Sequence, residues 1–184
     1  MQILSSSELD AIAPEVPWDF AGFEKLLAAV EAKCAKQESA LAGQIACKAG
    51  CPHCCRRIPT ILPIEWAWIQ AGGAEASGQN PASKELRSDL HPDEPLCGHL
   101  DAEGLCSIYA ARPLICRTHG SLILSDEGLD HCPWNFQDLE EVDEDMVFRL
   151  ENLHETLLRL NLAFLQHSYP ANFARLAGVR IRFQ

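Results

Sequence analysis

Nine of the 184 residues are cysteine, and eight of these fall into two blocks. The first is Cys47, Cys51, Cys54 and Cys55, within the stretch CKAGCPHCC. The second is Cys97, Cys106, Cys116 and Cys132. Thiolates are soft ligands that select zinc, copper(I) or iron–sulfur clusters over hard cations such as magnesium. Four of them close one tetrahedral site, so the two blocks hold enough sulfur for two closed centres. An odd cysteine total fits a disulfide framework poorly.

The placement of charge agrees with ligation. Thiolates gathered around a divalent ion leave excess negative charge that neighbours must offset. Lys48, Arg56, Arg57, Arg112 and Arg117 lie beside these cysteines, five of the chain's 15 basic residues. Nearby cations lower thiol pKa values and favour the ligating form. His53, His99, His119 and His131 also lie close. Each could replace a thiolate or donate a supporting hydrogen bond, and the accessory role is the expected one because the thiols already suffice. A cysteine–histidine nucleophilic pair is conceivable, but no one cysteine is singled out for it.

Cys54 and Cys55 are adjacent, which is awkward for a single ion. Successive side chains of an extended chain point to opposite sides. The two then serve neighbouring centres, or one ligates while the other packs. We expect Cys47, Cys51 and Cys54 to share a centre with one cysteine of the second block, and Cys55 to join the other three. The spacing Cys47-x3-Cys51-x2-Cys54 is also that of radical S-adenosylmethionine enzymes. Those need a barrel of alternating strands and helices, and almost no strands are expected here.

The elements that must hold these residues read as helices. Phe20, Phe23, Leu27, Val30, Cys34 and Leu41 form one apolar stripe, predicting a helix over 19–41 with Asp19 as N-cap. Cys34 reads as a small buried hydrophobe on that stripe. Gly43 and Gly50 lead into the cysteine stretch. Pro63 is placed to open a short helix that ends at Gly72 and Gly73. Its Trp66 and Trp68 are expected in the core rather than on a binding surface. Residues 73–84 read as a loop and SKELRSDL as a short helix. Tyr109–Arg112 predicts one helical turn stopped by Pro113, and LILS a short strand. The segment 138–167 carries Val147, Leu150, Leu153, Leu157, Leu160 and Phe164 on one face. Its acidic opening DLEEVDED suits the positive end of a helix dipole and lacks the glycine and spacing of a calcium loop. His91, His154 and His167 read as surface residues, residues 1–16 as a loose arm, and the tail GVRIRFQ identifies no partner.

Composition bounds the function. A 47% hydrophobic chain of this length buries a real core without staples. The net charge of −11 argues against nucleic acid or an anionic membrane as partner. No apolar run approaches the ~20 residues that span a bilayer. No basic and apolar leader opens the chain. It therefore reads as cytoplasmic, where thiols stay reduced.

The sequence resembles the YkgJ-type cysteine-cluster family, a zinc- or iron-chelating domain. The resemblance rests on CKAGCPHCC, then LCGHLDAEGLCSIYAARPLICR, then Cys132. Within the second block the matching positions are Cys97, Gly104, Cys106, Tyr109, Arg112, Pro113, Cys116 and Arg117. The match spans about residues 47–132. It implies zinc or iron held by these cysteines, including as an iron–sulfur cluster. It is also similar to a segment of flagellin lysine methylases, which implies service in redox or methyl-transfer chemistry without assigning a reaction.

The expectation is a mostly α, single-domain protein over residues 1–184. Helical flanks at 19–41 and 142–167 pack together and around the cysteine loops. The metal ligands are Cys47, Cys51, Cys54, Cys55, Cys97, Cys106, Cys116 and Cys132. Zinc or iron chelation is the first functional reading. A 4Fe–4S redox protein or accessory enzyme is the second, and an interaction module with a structural metal and a protein partner is the third. Whether the chain is an enzyme stays open.

Overall fold

A computed structural model of the chain describes residues 2–47, 51–56, 59–72, 97–101, 104–139 and 142–183. The predicted loop 73–84, the helix SKELRSDL, and Lys48, Gly50, Arg57, Gly73 and His91 lie outside the described residues. The chain forms two compact units, each built from separate segments. The first comprises Met1–Asp19, Lys48–Pro113 and Asn161–Gln184, the second Phe20–Cys47 and Leu114–Leu160.

The first unit is organised by its ends. Strand β1 (Gln2–Leu4) pairs parallel with β6 (Val179–Arg182), and β2 (Thr60–Ile61) pairs antiparallel on the other side of β6. Residues 179–183 alternate, with Val179, Ile181 and Phe183 buried and Arg182 exposed, the period of two that a half-buried strand requires. The N-terminus is therefore not a loose arm. After β1, Ser5 caps helix α1 (Ser6–Asp10): its hydroxyl accepts from the Glu8 N–H, and the Glu8 carboxylate accepts from the Ser5 N–H.

Pro63 opens α3 (Pro63–Gln70), where its missing N–H costs nothing. The Glu65 carboxylate accepts from Leu62 N–H at 2.8 Å, and Asn161 Oδ1 accepts from Ile64 N–H at 3.1 Å. Trp66 and Trp68 are buried as expected, and Trp66 Nε1 donates to Asp10. The C-terminal part of α5 (Leu150–Ser168) and the short helix α6 (Phe173–Leu176) supply Leu165 and Leu176 to the same core.

In the second unit, α2 (Ala21–Ala40) buries Phe23, Leu27, Val30 and Gln37. Its N-cap is Phe20, without a side-chain bond, rather than Asp19. Gln37 is 1% exposed and bonded at both ends of its amide. Its amide donates to Met146 O at 2.6 Å and accepts from Leu122 N–H at 3.2 Å, so α2 fastens two strand-flanking segments. The turn predicted at Tyr109–Arg112 forms as a 3₁₀ turn over Tyr109–Ala111, and helix α4 (Leu114–Thr118), which periodicity did not reveal, begins directly after Pro113.

A second small sheet has the order β4 (Gly128–Asp130), β3 (Ile123–Ser125), β5 (Phe148–Arg149). The β3–β4 hairpin turns at Gly128, whose φ of +116° suits glycine. Helix α5 starts later than expected. Met146 and Val147 N–H bond back to Asp143 and Glu144, and Phe148–Arg149 pair with β3 instead of winding into the helix. The described part of the acidic run thus precedes the helix. Val147 packs with Leu122 and Phe136 in a satellite core.

Helices account for 48% of the described residues, so a mostly α reading holds only in part beside two three-stranded sheets. Among the described residues, no helix is long and apolar enough to cross a membrane.

Candidate metal centre

None of the nine cysteines is joined in a disulfide. They divide between the units: Cys51, Cys54, Cys55, Cys97 and Cys106 belong to the first, and Cys34, Cys47, Cys116 and Cys132 to the second.

In the first unit, Cys54 and Cys55 lie in a 3₁₀ turn, His53–Arg56, closed by Cys55 N–H donating to Pro52 O at 2.9 Å. The extended-chain expectation therefore fails. A 3₁₀ turn has three residues per turn, so neighbouring side chains diverge by about 120° rather than 180°, and the two thiols hydrogen-bond each other. The second block is tied to this turn through the backbone, with Cys97 N–H donating to Cys55 O at 2.9 Å.

The segment from Cys97 to Cys106 then folds back on itself. Leu100 and Cys106 form an antiparallel bridge, and Ser107 donates its N–H and its hydroxyl to His99 O. Asp101 makes the return, accepting Gly104 N–H at its carbonyl and Leu105 N–H at its carboxylate, with Gly104 at φ +79°. This is the physical content of the Asp-x-x-Gly spacing: an aspartate-anchored turn that brings Cys106 back beside Cys97.

The four thiols feel one another. The Cys55 thiol donates to Cys54, which holds Cys54 down to about 7, assisted by the Arg112 guanidinium. That hydrogen bond, then burial, then the charges of Cys54, Cys97 and Cys106 drive Cys55 far above the ordinary thiol range. Burial raises Cys106, against a hydrogen bond from the Ile108 backbone and the attraction of Arg112. Arg112 also stacks 3.9 Å over the Tyr109 ring, which gives Arg112, Tyr109 and Cys106 of the matching block a shared physical role. Arg117 acts elsewhere, pairing with Glu31.

Alkylation of Cys54 in metal-free protein is accordingly expected to rise through pH about 7, before Cys55 reacts. The sign follows from thiolate being the nucleophile. Cys55→Ala removes the donor, so the Cys54 midpoint moves up. Mass spectrometry of the alkylated peptide across pH checks both, and an unmoved midpoint refutes the thiol–thiol bond.

His99 is the histidine best placed to help. Its ring lies 4.8 Å from Phe183, and its Nε2 is buried with no hydrogen-bond partner among the described residues. Burial lowers its pKa, favouring the neutral imidazole that ligates metals. His53 sits in the 3₁₀ turn, and His119, His154 and His167 are exposed. His131 donates Nδ1–H to the Cys132 carbonyl.

In the second unit, Cys47 Sγ accepts from Asn135 Nδ2 at 3.2 Å. Cys34 Sγ lies 3.7 Å from Arg117 O and 3.5 Å from Ser121 Oγ, so it is a hydrogen-bonded thiol beside α4 rather than a purely apolar filler. Asn135 and Gly120 were not visible as site residues from sequence. Their signal is long-range hydrogen bonding, which no local spacing encodes.

Among the described residues, no three His, Cys, Asp or Glu side chains are gathered closely enough to hold a metal ion as they stand. The donor chemistry still suits a thiophilic ion. The Cys97–Cys55 backbone bond and the Leu100–Cys106 bridge tie four thiol-bearing residues together, and soft thiol donors suit such an ion.

A family model, CxxCxxCC, described as "Putative zinc- or iron-chelating domain", matches residues 46–146. No curated protein and no solved structure matches the chain.

Proposed function

This chain belongs to the CxxCxxCC family of zinc- or iron-chelating domains, and from that premise we propose that it holds its metal on cysteine thiolates within each unit. In the first unit the ligands are Cys54, Cys55, Cys97 and Cys106, with Cys51 and His99 as further donors in the same segments. In the second they come from Cys47, Cys116 and Cys132. The observation that carries this is the backbone geometry that ties two distant cysteine stretches together: Cys97 N–H donates to Cys55 O, and the Leu100–Cys106 bridge folds Cys106 back toward Cys97. It supports pairing Cys54 with Cys55, and thus a different partition from one that groups Cys54 with Cys47 and Cys51.

The bound ion supplies charge neutralisation and a cross-link between loops that are distant in sequence. The chain's own residues do the rest. The Asp101 turn returns Cys106 to Cys97, the 3₁₀ turn presents both Cys54 and Cys55, and Arg112 offsets negative charge.

Metal analysis with an optical spectrum, on protein purified without oxygen, tests this. Colourless protein containing zinc is the expected form of a chelating centre. Brown protein with about four irons and four sulfides per cluster assigns an iron–sulfur role instead. Protein that contains and takes up neither zinc nor iron refutes the proposal.

A further inference from the structure

Asn135 is completely buried, and its side chain uses its whole hydrogen-bonding capacity at one place. Its Oδ1 accepts from Ala46 N–H at 2.9 Å and from Cys47 N–H at 3.3 Å. Its Nδ2 donates to Cys47 Sγ at 3.2 Å and to Gly120 O at 2.7 Å. The amide orientation is fixed by backbone partners, because two N–H groups require the oxygen and a carbonyl requires the nitrogen. Its own N–H donates to Cys132 O at 2.9 Å. One residue therefore binds the Cys47 segment, the Cys132 turn and Gly120, which lies four residues after Cys116.

Cys47 is an exposed residue, and its thiol lies against Gly120, where the lack of a side chain leaves it room. A Cβ built on Gly120 would lie 2.9 Å from Cys47 Sγ and 3.2 Å from Asn135 Nδ2, and Gly120 has φ +93°. Any side chain at position 120 displaces the thiol or the amide that holds it.

We propose that Asn135 is the positioning residue that holds Cys47 as a metal-ligating thiolate, through an N–H···S bond in a socket left open by Gly120. This rests on the ligand role of Cys47 given above. Hydrogen bonds to a ligand atom orient it and tune the metal, and their loss lowers affinity by about 10- to 100-fold. An N–H donor also withdraws charge from the sulfur, so it changes the electronic spectrum of the bound ion and not only the stability of the fold.

The discriminating variant is Asn135→Asp. It keeps an acceptor for Ala46 and Cys47 N–H but has no donor for the sulfur or for Gly120 O. Cobalt(II) serves as the probe in the full-length chain, with affinity from chelator competition and the sulfur-to-cobalt charge-transfer band as the electronic readout. The expected result is a roughly 10- to 100-fold loss of cobalt affinity and a shifted band, with the far-ultraviolet circular dichroism retained. A purely structural Asn135 would lower the melting temperature and leave the band in place, which overturns the proposal.

Because a variant can fail to fold, the wild-type protein gives a second measurement. The Asn135 side-chain amide signals in a nitrogen-15 spectrum must move when cobalt is replaced by diamagnetic zinc or cadmium and when either is removed. Unmoved signals overturn the proposal. The two readings fail separately. If Cys47→Ser leaves cobalt binding unchanged, Cys47 is not a ligand. If Cys47→Ser loses cobalt and Asn135→Asp does not differ from wild type, only the positioning role is refuted.

Discussion

Stripping the metal with a strong chelator is expected to release the segments 51–56 and 97–106 while leaving the β1–β6–β2 sheet folded. Structural zinc contributes about 10–16 kcal/mol in small peptides, comparable with the ~5–15 kcal/mol total stability of a domain. The backbone ties between these segments are few. Among the described residues, Cys97 N–H to Cys55 O is the one that joins the two blocks directly, and the rest are internal to each segment. A hydrogen bond contributes only about 0.5–1.5 kcal/mol net.

Amide exchange in these segments should therefore accelerate by several orders of magnitude, with Val179–Arg182 little changed. Cys106→Ser should reproduce the effect, because a serine hydroxyl does not ionise near neutral pH and cannot replace a thiolate. Cys34→Ser should not, since Cys34 already has oxygen partners in Arg117 and Ser121. Exchange rates unaffected by chelation would show that the fold, and not a metal, holds the cysteines together.

Ile181→Ala is expected to destabilise the protein by about 2–5 kcal/mol, the cost of a large-to-small change in a closed core. Ile181 is 0% exposed in the central strand, registered with Leu4 on one side and Ile61 on the other. Each kcal/mol shifts the melting temperature of a chain of this size by roughly 2–4 °C, so a fall of roughly 4–20 °C should appear in a thermal melt. Ile3 provides the control. It lies on the edge strand, 45% exposed, and Ile3→Ala should stay within about 0.5 kcal/mol. Equal shifts for the two variants would mean that β6 is not the centre of a folded sheet.

Legibility from sequence followed the range of the interactions involved. Pro63 opening a helix, Tyr109–Ala111 turning before Pro113, and Ile123–Ser125 extending are all readable because the signal is contained in a few neighbouring residues. The stripe Phe23, Leu27, Val30 places α2, but its continuation at Gln37 cannot be read as core. A glutamine becomes a core residue only when Leu122 N–H and Met146 O arrive to satisfy it. The start of α5 departs from its periodicity for a related reason. Residues 142–149 carry helix-compatible spacing, yet Phe148 and Arg149 gain more by pairing with Ile123 and Leu124, partners distant in sequence.

Sequence alone carried the chemical signature: nine thiols, eight of them in two blocks, with basic neighbours, the pattern that places the chain in a family of zinc- or iron-chelating domains. Residue types carry that information wherever the chain places them. Only the tertiary structure decided that the two chain ends form one sheet, because β1 and β6 find each other solely through long-range backbone bonds. It also decided that Cys54 and Cys55 present their thiols to each other, since a 3₁₀ turn and an extended segment orient the same two residues differently. Finally, it decided that Asn135 and Gly120 form the socket for Cys47, because burial and hydrogen-bond satisfaction are properties of the folded environment and not of any spacing along the chain.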